Sequence, residues 1–329
     1  MQNKRADISN LRAIAIFLVV LGHSIILYSR DWGLYPTEQT APLFDHLKML
    51  INTVQMPLFF TLSGFCFYWS FHNASNLSSL LLSRAKRILL PFLFFGAIWL
   101  VPIRMLIGYP GYQGLSYPLI LIRMIVLGGD SGHLWFLPTL FHITLASSLV
   151  LWTAKTLKAP RLGPIALFLS MAIAYHSPIN MVPFQSLASS YGIWFALGYA
   201  IHGYENHLTR YKKALVLALA IPTLSLFALS FAGWEIALPR AILLLWTLSS
   251  VLEVFLTVPQ REWRPLDIIS RDSMGLYLFH SPLIYFSFTY WPSIHPVLML
   301  IVNLFGFGSV ALLLTELLRK AKMGWAIGE

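Results

Sequence analysis

Arg12 and His23 are the first residues of this chain whose types and spacing suggest chemistry. They stand eleven residues apart in an otherwise apolar stretch. At about 100° per residue that is about three turns plus roughly 20°, so a helix carries both side chains on one face. The rise between them is about 16 Å, which leaves Arg12 near one end of a membrane-length helix and takes His23 past its middle. Ionisable groups at such depth face the interior of a helix bundle or a water-filled cavity. An imidazole there can act as general base or as nucleophile. A guanidinium can hold an anion, or polarise a carbonyl as charge develops on its oxygen. Taken singly, the two residues also fit an interfacial anchor and a packing histidine.

Four further clusters follow. Arg84 and Arg87 are three residues apart, directly before Ile88 and Pro91. On a helix they form a double guanidinium suited to phosphate groups, although a basic helix end can equally set topology or touch lipid headgroups. Phe59 to Gly64 lies after Pro57, which frees a backbone carbonyl, and the Ser63-Gly64 pair lets a helix or a ligand approach the backbone closely. His133 and Trp135 open another apolar run, either as an aromatic belt with a boundary histidine or as site residues. Tyr277 and His280 lie inside a later run, beside Pro282. His142 and Glu253 read as packing groups. The single cysteine, Cys66, cannot form an intrachain disulfide, and no metal site is expected.

The elements that must position these residues follow from composition. The chain has 329 residues, 57% hydrophobic and 15% aromatic, with only 11% charged, and its mean hydropathy is +0.69. Soluble domains carry about 25% charged residues, so a soluble multidomain enzyme is excluded, and disorder is excluded by the abundance of apolar surface. The expected fold is all-α: a polytopic membrane helical bundle, organised as a single transmembrane domain over 1–329. Spans of roughly 17–25 residues fall near Leu11–Leu27, Leu50–Trp69, Ile88–Ile107, His133–Trp152, Pro164–Ser177, Ser190–His202, Ala214–Phe231, Pro239–Val258, Ser273–Tyr290 and Pro296–Leu318, about ten in all. The first stretch follows Lys4 and Arg5 but has no small-residue cleavage site, and reads as a retained span.

Charge tests that count. With the N-terminus inside, the inner segments hold seventeen Lys and Arg, whereas the outer side holds Arg30, Lys48, Arg104, Arg123 and Arg240. This alternation predicts an even number of spans with both termini cytoplasmic. It also accounts for the net charge of +10 without nucleic acid as a partner; membrane lipids are the expected surroundings. The longest outer connection, Gly108–Gly132, contains Leu119–Leu127, which suits an interfacial helix or part of a lid.

In their order, these motifs resemble the membrane acyltransferase-3 family, whose members O-acylate extracytoplasmic glycans. The resemblance runs from Asn10 to about Pro282. It rests on the Arg12–His23 spacing, the Phe59–Gly64 run, the Arg84–Arg87 pair, and the His133–Leu137 and Leu276–Pro282 runs. It implies transfer of acetyl from cytoplasmic acetyl-CoA, as a donor substrate with no tightly bound cofactor, to a glycan or lipid-linked saccharide. It also implies a plasma membrane location, in a bacterium the inner (cytoplasmic) membrane. By that resemblance His23 and Arg12 are catalytic, with His23 as general base and Arg12 on the donor or its carbonyl. Arg84 and Arg87 hold the CoA phosphates, and Ser63 and Gly64 shape the acyl passage. His133, Trp135, Tyr277 and His280 support the acceptor side. Many relatives have an acidic residue just before the Leu-Arg of the first motif, where this chain has Ser9-Asn10, with Asp7 as the nearest carboxylate. The fused esterase-like domain of some relatives is absent from the sequence, so transfer is expected within the membrane bundle. A secondary transporter or flippase for a lipid-linked saccharide is the alternative, since it also needs many helices and midplane polar groups.

Overall fold

A chain this poor in charge can satisfy its backbone in lipid only within helices or around a closed barrel, and helix is what it forms. The computed structural model describes residues 5–30, 32–178, 180–231 and 240–329; Lys4 and Pro239, the predicted start of the eighth span, lie outside the described residues. The helices are α1 Ala6–Ser24, α2 Pro42–His72, α3 Leu77–Leu106, α4 Tyr117–Ile125, α5 Phe136–Thr156, α6 Gly163–His176, α7 Gln185–Gly203 and α8 Glu205–Arg210. They continue with α9 Lys212–Phe231, α10 Arg240–Thr257, α11 Arg264–Arg271, α12 Ser273–Tyr290 and α13 Pro296–Lys320. No strand occurs among the described residues. Five helical stretches, α1, α2, α3, Gly132–Thr156 and α13, are long and apolar enough to cross a membrane. The chain is therefore a polytopic helical membrane protein.

Helix ends explain where the predicted boundaries were short. α2 starts at Pro42, eight residues before the predicted span, because proline is preorganised at a first helical turn, Phe44 packs on Tyr28 just past the first helix, and Ile51 packs at Gly22 within it. It runs unbroken through Pro57 to His72 for 31 residues. α3 starts at Leu77, where the Asn76 side chain accepts the Ser79 amide at 2.8 Å and caps the helix. A π-helical turn, Gly96–Leu100, interrupts α3 and leaves space at Gly96, where a Cβ would lie 2.2 Å from the Met124 Cε. Met124 thereby docks α4, whose Leu119 and Ile122 stay exposed.

α1 sits at the centre, against α2, α11 and α12. α2 crosses α7 at paired glycines. A Cβ on Gly64 would lie 1.9 Å from the Phe195 carbonyl oxygen, and one on Gly198 would lie 1.8 Å from that of Thr61. The two backbones touch, as small residues permit between membrane helices. The space beside Gly64 is taken by the α7 backbone.

One end of the bundle, called basal here, holds the N-terminus of α1 and also Gly328. There a Cβ on Gly328 would lie 2.7 Å from the Arg87 carbonyl oxygen. Arg5 pairs with Asp7 and Glu205 at 2.5 Å each. These carboxylates hold the Arg5 guanidinium above its ordinary pKa, with the Asp7 hydrogen bond as the largest cause. The opposite end is called distal.

Candidate active site

A basal cavity of about 420 Å³ opens among α1, α2, α3, α5 and α12. Arg12, Ser63, Arg84, Arg87, Arg271 and Tyr277 are among its lining residues. Arg87 is exposed at the mouth and Arg84 is half-buried. The Arg84 guanidinium donates to the Ser70 hydroxyl and lies 5.6 Å from the centroid of Phe67. Arg271 is paired with Asp272 at 2.9 Å and with Glu316. Arg12, Arg84 and Arg87 have no ion pair among the described residues, so the cavity wall carries a net positive charge able to receive phosphates.

The Ser9-Asn10 departure also has a structural role. Asp7 goes to Arg5, while the Asn10 amide donates to the Pro259 and Arg261 carbonyls at 2.8 and 3.1 Å. These bonds tie α1 to the loop before α11 and leave Arg12 without a carboxylate.

A second pocket, of about 250 Å³, lies at the distal end. His23, Trp32, Arg104, His133, Trp135 and Tyr285 are among its lining residues. His23 Nδ1 lies 2.8 Å from His280 Nε2, and the two rings are nearly parallel at 16°. His280 Nδ1 lies 2.7 Å from the Leu276 carbonyl oxygen, which can only accept, so that nitrogen carries the proton. In the neutral imidazole, His280 Nε2 must then accept, and His23 Nδ1 must donate to it. His23 is thereby fixed as the tautomer whose Nε2 keeps a lone pair. By the same reasoning, His133 Nε2 donates to the Leu278 carbonyl at 3.2 Å, and its Nδ1 is buried without a partner. No group of His, Cys, Asp and Glu is placed to hold a metal ion among the described residues.

One layer of rings separates the two spaces. Tyr277 lines the basal cavity and donates its hydroxyl to the His133 carbonyl at 2.5 Å. Phe136 lies 5.7 Å from Tyr277, ring to ring, and His133 lies 5.5 Å from His280. Trp135 and Phe136 are consecutive yet line opposite spaces. Arg12 and His23 do share the inward face of α1, but the rise of the helix puts them in different spaces. Arg12 joins Arg84 and Arg87, away from His23.

Two residues of these walls, Arg104 and Arg271, enter the sequence reading only as loop or span-end charges, and so does Lys48, which is buried beside the helical turn at Gly22. Only Arg104 left a signal, as an arginine enclosed in the run Leu100 to Ile107. His280 gains weight as the direct partner of His23. His142 bonds the Pro138 carbonyl of its own helix at 2.7 Å, as packing requires. Glu253 instead borders a cavity of about 310 Å³ with Thr223 and Ser250.

Helices of membrane length, with a cation-lined cavity at one end of the bundle and an imidazole-lined pocket at the other, define an integral membrane protein. A family model described as an acyltransferase domain matches residues 5–319, and the chain belongs to the acyltransferase-3 family. It is a multi-pass membrane acyltransferase, with an acyl donor and an acceptor as substrates, and the transporter alternative falls. Neither a curated protein nor a solved structure matches it.

Proposed function

We propose that this acyltransferase moves an acetyl group from cytoplasmic acetyl-CoA to a hydroxyl of an extracytoplasmic or lipid-linked glycan, in a bacterial cytoplasmic membrane. One observation carries the reading: a cavity with three guanidiniums free of ion pairs among the described residues, and a pocket with an oriented imidazole, approach each other from opposite ends of the bundle. In this reading the chain is one domain over 1–329 that crosses the membrane ten times, with both ends cytoplasmic. The basal cavity then faces the cytoplasm, in keeping with the inner-loop excess of Lys and Arg.

CoA enters past Arg87, and its phosphates bind Arg87, Arg84 and Arg12. Guanidiniums stay charged and bind phosphate oxygens bidentately. The pantetheine arm follows the wall at Ser63 and carries the thioester to the ring layer of Phe136 and Tyr277, which must part to admit it. The acceptor hydroxyl waits in the distal pocket between Trp135 and His23.

The hydroxyl oxygen attacks the thioester carbon while His23 Nε2 takes its proton. On collapse the carbon–sulfur bond breaks, the sulfur takes that proton from His23, and CoA leaves as the thiol. His280 Nε2, accepting from His23 Nδ1, holds the ring in place and stabilises the imidazolium as it forms. A base is preferred to a covalent carrier because no acyl-imidazole then stands open to water. Acetyl-CoA is a substrate, and no resident cofactor is needed.

Sealed vesicles with acetyl-CoA on the cytoplasmic face and glycan on the other test this directly. Transfer is expected from wild type and lost in His23→Ala at equal protein level. Wild-type transfer in that variant would remove His23 from the reaction.

A further inference from the structure

Arg104 is 2% exposed, yet no carboxylate is paired with it among the described residues. Asp130 gives its backbone carbonyl to Nη1 at 2.7 Å, while its carboxylate pairs with Arg123 at 3.0 Å. Nη2 donates to the Tyr285 hydroxyl at 3.1 Å, and Nε has no partner. The guanidinium carbon lies 4.3 Å from the ring centroid of Tyr109, 5.2 Å from that of Tyr285 and 5.9 Å from that of Tyr112. These ring faces hold a cation in place but do not neutralise it. Burial pushes the Tyr109 and Tyr112 phenols above their ordinary pKa, so they supply no negative charge.

The chain makes room for this cation. A Cβ on Gly132, one residue before His133, would lie 2.5 Å from Arg104 Nη2. Lys48, 3% exposed and without an ion pair among the described residues, is buried beside Gly22, one residue before His23. An interior cation without a counter-ion is costly unless an anion completes it. Arg104 lines the same pocket as His23, and Trp32, Trp135, Tyr109 and Tyr285 give that pocket flat aromatic walls. At about 250 Å³ it is smaller than most ligand pockets, which run to about 300–1,000 Å³, and suits one saccharide unit.

We infer that the acceptor saccharide carries an anionic group, a carboxylate or a phosphate, which binds against Arg104 while its hydroxyl faces His23. This rests on the acyltransferase reading of the distal pocket. Arg104 is then a specificity-determining residue and takes no part in bond making.

Calorimetry on the full chain in nanodiscs, without donor, tests the inference with methyl glucuronide, glucose 1-phosphate and neutral methyl glucoside. At least one anionic sugar should bind about tenfold or more tighter than the glucoside, and which one does so separates carboxylate from phosphate. Arg104→Gln should bring all three within about twofold, while Arg104→Lys keeps part of the preference. Because Arg104→Gln also disturbs the turn at Asp130, the wild-type ratio is decisive by itself. Equal binding of all three sugars by wild type, or no binding of any, overturns the inference. So does a preference that survives in Arg104→Gln with acetyl-CoA binding intact. Lost transfer with the anion preference retained would count only against the donor and base assignments.

Discussion

His23 Nδ1 lies 2.8 Å from His280 Nε2, and the Leu276 carbonyl behind His280 leaves only one direction for that hydrogen bond. A backbone carbonyl on α12 thus selects the tautomer of an imidazole on α1. The free nitrogen of His23 is the one a general base needs. The arrangement uses a second histidine where a carboxylate would otherwise orient the first.

His280→Ala should therefore lower kcat by about 10- to 100-fold, a part of the 10²–10⁴ that general acid–base catalysis supplies. The KM for acetyl-CoA should change little. His280→Gln, whose amide oxygen can accept from His23, should recover part of the loss. An unchanged kcat in His280→Ala would show that the bond is incidental to turnover.

Each guanidinium of the basal cavity should be felt in donor affinity. A hydrogen bond to a charged group contributes about 1.5–3 kcal/mol, so Arg84→Ala and Arg12→Ala should each weaken acetyl-CoA binding by about 10- to 100-fold. Arg12→Ala is the more informative of the two. If it lowers kcat with donor binding untouched, Arg12 acts on the carbonyl and not on the phosphates.

Gly64→Ala should damage folding and leave chemistry alone in whatever protein survives. The added carbon would meet the Phe195 backbone oxygen at 1.9 Å, and backbone cannot move aside as a side chain can. Overpacking costs about 1–3 kcal/mol or more. Thermal unfolding in detergent should show a marked drop, whereas Ser63→Ala, on the cavity side, should unfold like wild type.

Tyr277→Phe should cost about 1 kcal/mol of stability, since it removes the 2.5 Å hydrogen bond to the His133 carbonyl. Turnover should persist, because the ring that separates the two spaces remains. Complete loss of transfer in this variant would place the hydroxyl itself in the reaction.

Much of this was legible in the sequence because it depends on spacing along single helices. The shared face of Arg12 and His23 follows from helical geometry, and so does the projection of Arg84 and Arg87 towards one mouth. What periodicity could not supply was contact between distant helices. Nothing at position 280 shows that His23 will be its neighbour 257 residues away. Arg104 looked like one more span-end charge because its tyrosine cage comes from Tyr109, Tyr112 and Tyr285, which only the fold assembles. Gly64 was ambiguous between helix and ligand until Phe195 was seen to fill the space.

The central claim is that the donor binds in the basal cavity and reacts at His23. Acetyl-CoA binding to protein in nanodiscs tests it most directly, comparing wild type, His23→Ala and Arg84→Ala/Arg87→Ala. Saturable binding should persist in wild type and in His23→Ala, which no longer transfers acetyl, and should be lost in the double arginine variant. Undiminished binding in a folded double variant would contradict the account and move the donor to another part of the protein.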